Sequence, residues 1–185
     1  MSIPPVRRSI TVPWAVEAAF SRFTTEIATW WPYQSHSVGG DKVKTIVFEG
    51  QVGGRIYEDH VDGRRFLWGT VLEWDPPRRV RFTWHPGRKP ETPTEVELTF
   101  QADGAGTRLE LVHSGWERLG ALGPKASKGY RLGWRYVLDV WAGRRTGFVG
   151  FIDLVTFPIL MVQKVKRARR DLRNDAGGEI TPART

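Results

Sequence analysis

The sequence predicts an α+β domain of the chain's first 145 residues: a curved antiparallel sheet wrapped around one long helix that begins near Lys125, with two short helices between the first and second strands and an extra C-terminal apolar and basic tail. Three observations predict it. Between residues 43 and 115, six runs rich in β-branched and aromatic residues are separated by turn chemistry. Within several runs apolar and polar residues alternate with period two, as in a sheet with one covered and one wet face. A stretch with helical periodicity then follows, long enough to cover such a sheet.

Along the chain, VRRSITV (6–12) reads as the first strand, and Pro13 suits a first helical turn. PWAVEAAFSRFT carries apolar residues at 16, 19, 20 and 23, which is helical spacing. EIATWW reads as a second short helix that stops at Pro32, because the residue before a proline disfavours helical backbone. The strands KTIVFEG, GRIYEDHV, RFLWGTVLEW, RRVRFTW, TEVELTF and TRLELVHS follow. VGG (52–54), DG (62–63), DPP (75–77), HPGRKPETP and DGAG (103–106) separate them, links short enough for an antiparallel meander.

Alternation assigns the faces. Val80, Phe82 and Trp84 share one side of their strand, as do Val96, Leu98 and Phe100, and Leu109, Leu111 and His113. The covering helix is predicted to begin near Lys125. Tyr130, Trp134, Val137, Leu138 and Trp141 lie on one of its faces, while Gly129 and Gly133 weaken its first turns. A long helix across a curved sheet leaves a groove suited to an apolar ligand.

Composition bounds the function classes. There are no cysteines, which excludes disulfides and thiolate metal sites. The N-terminus MSIPPVRRSITV has no apolar core of a secretory signal, so a cytoplasmic location is the expectation. The net charge of +8 favours acidic partners in principle, but residues 1–145 interleave 21 basic with 16 acidic residues, a solvated surface. No nucleic-acid-binding signature is present, and no nucleic-acid partner is expected. His36, His60, His85 and His113 are far apart without metal-ligand spacing, so no metal is assigned. Neither glycine cluster, GGD (39–41) or VGGR (52–55), is a phosphate loop, and there is no GxSxG elbow. No cofactor is implied.

The order strand, two short helices, six-stranded meander, long helix resembles the helix-grip fold of START lipid-transfer domains, the birch-pollen-allergen family and polyketide cyclases (the SRPBCC superfamily). VGGRIYE (52–58), WGTVLEWDPPRRVRFTW (68–84), TEVELTF (94–100) and GTRLELVHSGWERLG (106–120) look like its activator-of-heat-shock-protein-90-ATPase homologue group. The resemblance spans about residues 6–143. It implies a cavity between sheet and long helix, with His113 pointing into it near the end of the last strand. It also implies, more distantly, a chaperone-accessory role in stress response.

Two readings of His113 follow: a polar group lining the cavity, or a buried histidine with satisfied hydrogen bonds. No base-orienting partner is legible beside it, so no catalytic residue is assigned. The candidate cavity residues are Trp30, Trp31, Glu49, Arg55, Tyr57, Trp68, Phe82, Trp84, Leu98, Leu111, His113, Trp134, Leu138 and Trp141. The same aromatics would equally fill a core. The first functional reading is binding of a hydrophobic or amphipathic small molecule or lipid, oriented by His113, Arg55, Tyr57 and Glu49. The alternative is a cyclase/aromatase-like or hydrolase-like enzyme in which His113 approaches a carboxylate such as Glu49.

The helix-grip domain is assigned to residues 1–145 and a C-terminal extension to 146–185. TGFVGFIDLVTFPILMVQ (146–163) is apolar but short of ~20 residues and interrupted by Asp153 and Pro158, so it is read as not spanning a membrane. KVKRARRDLR (164–173) is strongly basic, and the end, GGEITPART, reads as disordered. Packing on the domain or on a second subunit is favoured over peripheral membrane contact. A third functional reading follows: a chaperone-accessory or membrane-recruited interaction module with a protein partner or homodimer formed through this extension.

Overall fold

The structure is a computed structural model and describes residues 2–144. The C-terminal extension and its predicted contacts lie outside the described residues. The chain forms β1 (Val6–Val12), α1 (Val16–Phe23), the single helical turn α2 (Tyr33–His36), β2 (Val43–Phe48), β3 (Arg55–His60), β4 (Arg65–Asp75), β5 (Arg79–Trp84), β6 (Thr94–Asp103), β7 (Gly106–Ser114) and α3 (Gly123–Trp141). All strand pairs are antiparallel in the order β1-β7-β6-β5-β4-β3-β2. β2 to β7 run as a meander, and β1 closes the far edge against β7. The segment from α1 to α2 therefore connects one edge of the curled sheet to the other.

Every predicted strand is present, and alternation does place the faces. Val80, Phe82, Trp84, Val96, Leu98, Phe100, Leu109, Leu111 and His113 are all buried. Their neighbours form an ionic lattice on the wet face, with Arg79 on Glu97 at 2.7 Å, Arg81 on Glu95 at 3.0 Å and Arg118 on Glu95 at 2.7 Å. Such exposed pairs contribute about 0–1 kcal/mol each, so the inner face carries the stability. There, full burial of each large apolar side chain contributes about 1.5–3 kcal/mol. α3 lies over that face through Trp134, Val137, Leu138 and Trp141.

One helical prediction needs correction. EIATWW forms only a 3-10 turn, Ile27–Thr29, and the helical turn α2 follows Pro32 instead of preceding it. Proline has no amide hydrogen to give, so it is as well suited to opening a helical turn as to closing one. α3 begins at Gly123, close to the start predicted near Lys125, with Pro124 in its first turn. An irregularity in β4 also has a consequence for the interior. Ile56 pairs with Gly69 and Tyr57 with Leu67, so Trp68 is an extra residue pressed into the core, where it is fully buried. Gly69 permits this: a Cβ there would lie 1.8 Å from the carbonyl oxygen of Thr83.

Candidate functional site

The inner face carries two aromatic clusters. One, under α1, joins Trp14 to Trp141 at 5.2 Å between ring centroids, Phe23 to Trp141 at 5.5 Å and Phe20 to Phe100 at 5.3 Å. The other lies beneath the first half of α3. Trp31 stands 5.1 Å from Trp68, Trp68 5.5 Å from Trp84, and Trp84 5.6 Å from Trp134. Trp30 bridges the two, tilted against Phe23 and Trp31. The predicted aromatic set is thus brought together in two places, with Phe82, Leu98, Leu111 and Leu138 buried in the shared core.

His113 sits at the edge of the second cluster, fully buried, with Trp116 at 4.0 Å and Tyr130 at 4.8 Å. Both ring nitrogens are used. Trp134 Nε1 donates to Nδ1 at 2.8 Å. An indole nitrogen only donates, so Nδ1 is the acceptor and the ring proton is on Nε2. That Nε2–H faces Thr94 Oγ1 at 2.8 Å, and the Thr94 hydroxyl in turn donates to the carbonyl of Trp84 at 2.7 Å. Burial, helped by the nearby Arg88 charge, holds the imidazole well below its ordinary pKa, so it is neutral. Of the two readings, the satisfied buried histidine is the one the geometry supports. A proton-transfer role would first require one of these bonds to break.

Glu49, Arg55 and Tyr57 are elsewhere. Ile56 faces the core, so its neighbours Arg55 and Tyr57 face away. Arg55 donates to Glu49 from its backbone at 2.8 Å and from Nη2 at 3.2 Å, and both side chains are part-exposed. Tyr57 lies under the guanidinium of Arg65 at 3.9 Å. Tyr57 is buried beneath the Arg65 guanidinium, Glu49 and Arg55 are part-exposed, none of the three contacts His113, and the pairing of Glu49 with His113 does not occur.

The period-two rule applied to GRIYEDH instead puts Glu58 and His60 on the core side with Ile56, and sequence reasoning passed over them. Glu58 is fully buried. Its Oε1 accepts from Gly39 N at 2.7 Å and lies 2.6 Å from His60 Nε2, while Oε2 accepts from Val38 N at 3.0 Å. The signal was available in the alternation, since Ile56 marks which face is inside.

Several buried donors make no close hydrogen bond among the described residues: Nε1 of Trp68, Trp84 and Trp141, and Nη1 of Arg88. Two of the four indoles in the second cluster therefore present an N–H group that makes no close hydrogen bond. Among the described residues no group of three His, Asp or Glu side chains is placed to hold a metal ion, and no helix is long and apolar enough to cross a membrane.

Known proteins give this geometry a context. Among curated proteins no sequence matches the chain. Solved structures do. An anthrahydroquino-gamma-pyrone synthase, Txn09, solved in complex with SUM, is 40% identical, over 67% of this chain and 84% of that one, with a TM-score of 0.50. CalC, a self-sacrificing resistance protein from Micromonospora echinospora, is 26% identical, over 76% and 92%, with a TM-score of 0.55. Protein MLL2253 from Mesorhizobium loti, 18% identical over 75% and 94%, shares the fold at a TM-score of 0.54. The model of the activator of Hsp90 ATPase homolog 1-like proteins matches residues 15–141, and the chain belongs to that family of helix-grip proteins.

Proposed function

We propose that this protein binds a planar, oxygen-bearing aromatic small molecule between the sheet and α3. The observation that carries this reading is the buried indole N–H groups of Trp68, which has no partner, and Trp84, which makes no close hydrogen bond and has only the Tyr130 hydroxyl nearby, within a wall of four tryptophans. Flat indole faces favour a flat apolar ligand. Buried N–H groups without an acceptor each cost about 1–3 kcal/mol, and a ligand carbonyl or phenol oxygen would recover that. An apolar wall with a few fixed donors is the usual composition of a small-molecule site. Support also comes from the 40% identity to a protein described as a synthase of a fused aromatic pyrone.

That identity favours a second reading, in which the protein promotes ring closure on such a molecule. His113 is not offered as the base, because both its nitrogens are engaged.

The test is titration of the protein with anthraquinone and its hydroxylated derivatives, read by quenching of tryptophan emission and by calorimetry. Saturable one-to-one binding that weakens in both Trp68→Phe and Trp84→Phe is expected. Absence of saturable binding to any planar oxygenated aromatic would refute the reading.

A further inference from the structure

Arg88 lies in the β5–β6 connection, and its guanidinium turns back toward the tryptophan cluster. Nη2 donates to the carbonyl of Trp84 at 2.8 Å and lies 3.4 Å from Thr94 Oγ1, the hydroxyl that also meets His113. Nη1 is buried and makes no close hydrogen bond, although the Tyr130 hydroxyl is near enough to interact with both Arg88 and Trp84. Among the described residues no carboxylate pairs with Arg88, whereas Arg55, Arg65, Arg79 and Arg81 each hold one. The groups facing it from the sheet and from α3 are Thr94, His85, His113 and Tyr130, none of them acidic. Glu91, on the same connection, makes no ion pair with it.

A cation with a desolvated N–H and no counter-charge is energetically unfavourable, because the interior returns little of the lost hydration. Folding gains the Nη2 bonds to the Trp84 carbonyl and Thr94, but no charge partner for the guanidinium. The burial is explained if an anionic oxygen completes it. Nη2 is already committed to protein acceptors, so Nη1 offers a single donor, which suits one phenolate, enolate or carboxylate oxygen better than a bidentate phosphate. The neighbouring Trp84 Nε1 makes no close hydrogen bond either, which adds a neutral donor beside the Tyr130 hydroxyl on the residue whose carbonyl Arg88 holds.

We propose that Arg88 is the anion-recognising end of the proposed aromatic site, and that the ligand is an aromatic molecule carrying an acidic oxygen, a carboxylate or an enolised ketone, that pairs with Arg88 Nη1. This rests on the aromatic-ligand reading above and narrows it to a class. It also assigns the HPGRKPETP connection a binding role, where the sequence reading saw only a turn.

The experiment compares anthraquinone-2-carboxylate with the neutral anthraquinone-2-carboxamide by calorimetry, for the unmodified protein, Arg88→Gln and Arg88→Lys. A charge-assisted bond to a buried guanidinium predicts a preference of about tenfold or more for the carboxylate in the unmodified protein. Arg88→Gln is expected to bring the two affinities within about twofold, and Arg88→Lys to keep part of the preference. Thermal melts of each variant separate a binding effect from a folding one, and the preference of the unmodified protein decides the matter even if Arg88→Gln fails to fold. Equal binding of the two probes by the unmodified protein, or an undiminished preference in a folded Arg88→Gln, overturns the assignment to Arg88 and leaves the aromatic-ligand reading intact. If neither probe binds, both fall.

Discussion

Trp134 Nε1 donates to His113 Nδ1 at 2.8 Å, tying the middle of α3 to the last strand of the sheet through one bond that fixes an imidazole tautomer. On the opposite side of the ring, Thr94 hands the bond on to the Trp84 carbonyl. The relay therefore joins β5, β6, β7 and α3 where the tryptophans gather. His113 is expected to remain in the Nε2-protonated neutral form from pH 8 down to pH 5. Nitrogen-15 chemical shifts of the ring check this directly. A titration midpoint near the ordinary value of 6.5 would show that the relay is not formed in solution.

Two tryptophans of similar size and burial should respond differently to loss of the indole nitrogen. Trp134 uses its N–H on His113 at 2.8 Å, whereas Trp84 makes no close hydrogen bond with its own. Trp134→Phe loses volume and also orphans a buried acceptor; Trp84→Phe loses volume and removes an unsatisfied donor. In the ligand-free protein Trp134→Phe is therefore expected to be more destabilising than Trp84→Phe by about 1–2 kcal/mol. Urea unfolding followed by far-UV circular dichroism measures the difference. Equal losses would mean that the His113 bond contributes nothing net.

Acid should weaken the fold well above the range where carboxylates titrate. Burial lowers the pKa values of His113 and His85, and lowers His36 to about 4. In the unfolded chain all three return toward 6.5. Above that value both states are neutral and nothing changes. Below it the unfolded chain takes up protons that the folded protein refuses, so stability falls with pH. For His36 the loss runs from about 6.5 to about 4, on the order of 1–3 kcal/mol. The urea midpoint is expected to drop steadily between pH 7.5 and 5. A constant midpoint over that range would contradict the burial of these imidazoles.

The strands, and the inward faces of β5, β6 and β7, were legible because period-two alternation is a local property. Leu109, Leu111 and His113 announce their side without knowledge of their neighbours. Whether His113 was a reactive group or a satisfied one was not legible, because its partners Thr94 and Trp134 lie 19 and 21 residues away and meet it only in the folded sheet. The assignment of Arg55 and Tyr57 to the cavity failed on a simpler point. Sharing a face does not say which face is inside, and the marker of the interior was Ile56 between them. Arg88 was invisible as a charge apart, since missing counter-ions are a feature of space and not of sequence.

The last prediction concerns the buried Glu58, which fastens the chain between α2 and β2 onto the sheet. Its carboxylate takes the amide hydrogens of Val38 and Gly39 and also meets His60 Nε2. Glu58→Ala leaves two buried amides and one imidazole nitrogen without a partner, and each such loss costs about 1–3 kcal/mol. Relaxation of the chain recovers part of that sum, so a net destabilisation of about 3–5 kcal/mol is expected. Gly39→Ala tests the same fastening from the other side. Its backbone φ of −85° suits any residue, so strain in the turn is not the issue. The added Cβ would instead lie 2.3 Å from His60 Nε2 and force the imidazole away from Glu58. Gly53→Ala is the control, with a φ of +80° but open space around its Cβ, and should cost only about 1 kcal/mol. Urea unfolding of the three variants gives the ranking. If Gly39→Ala were no worse than Gly53→Ala, the close packing of this turn on His60 would be disproved.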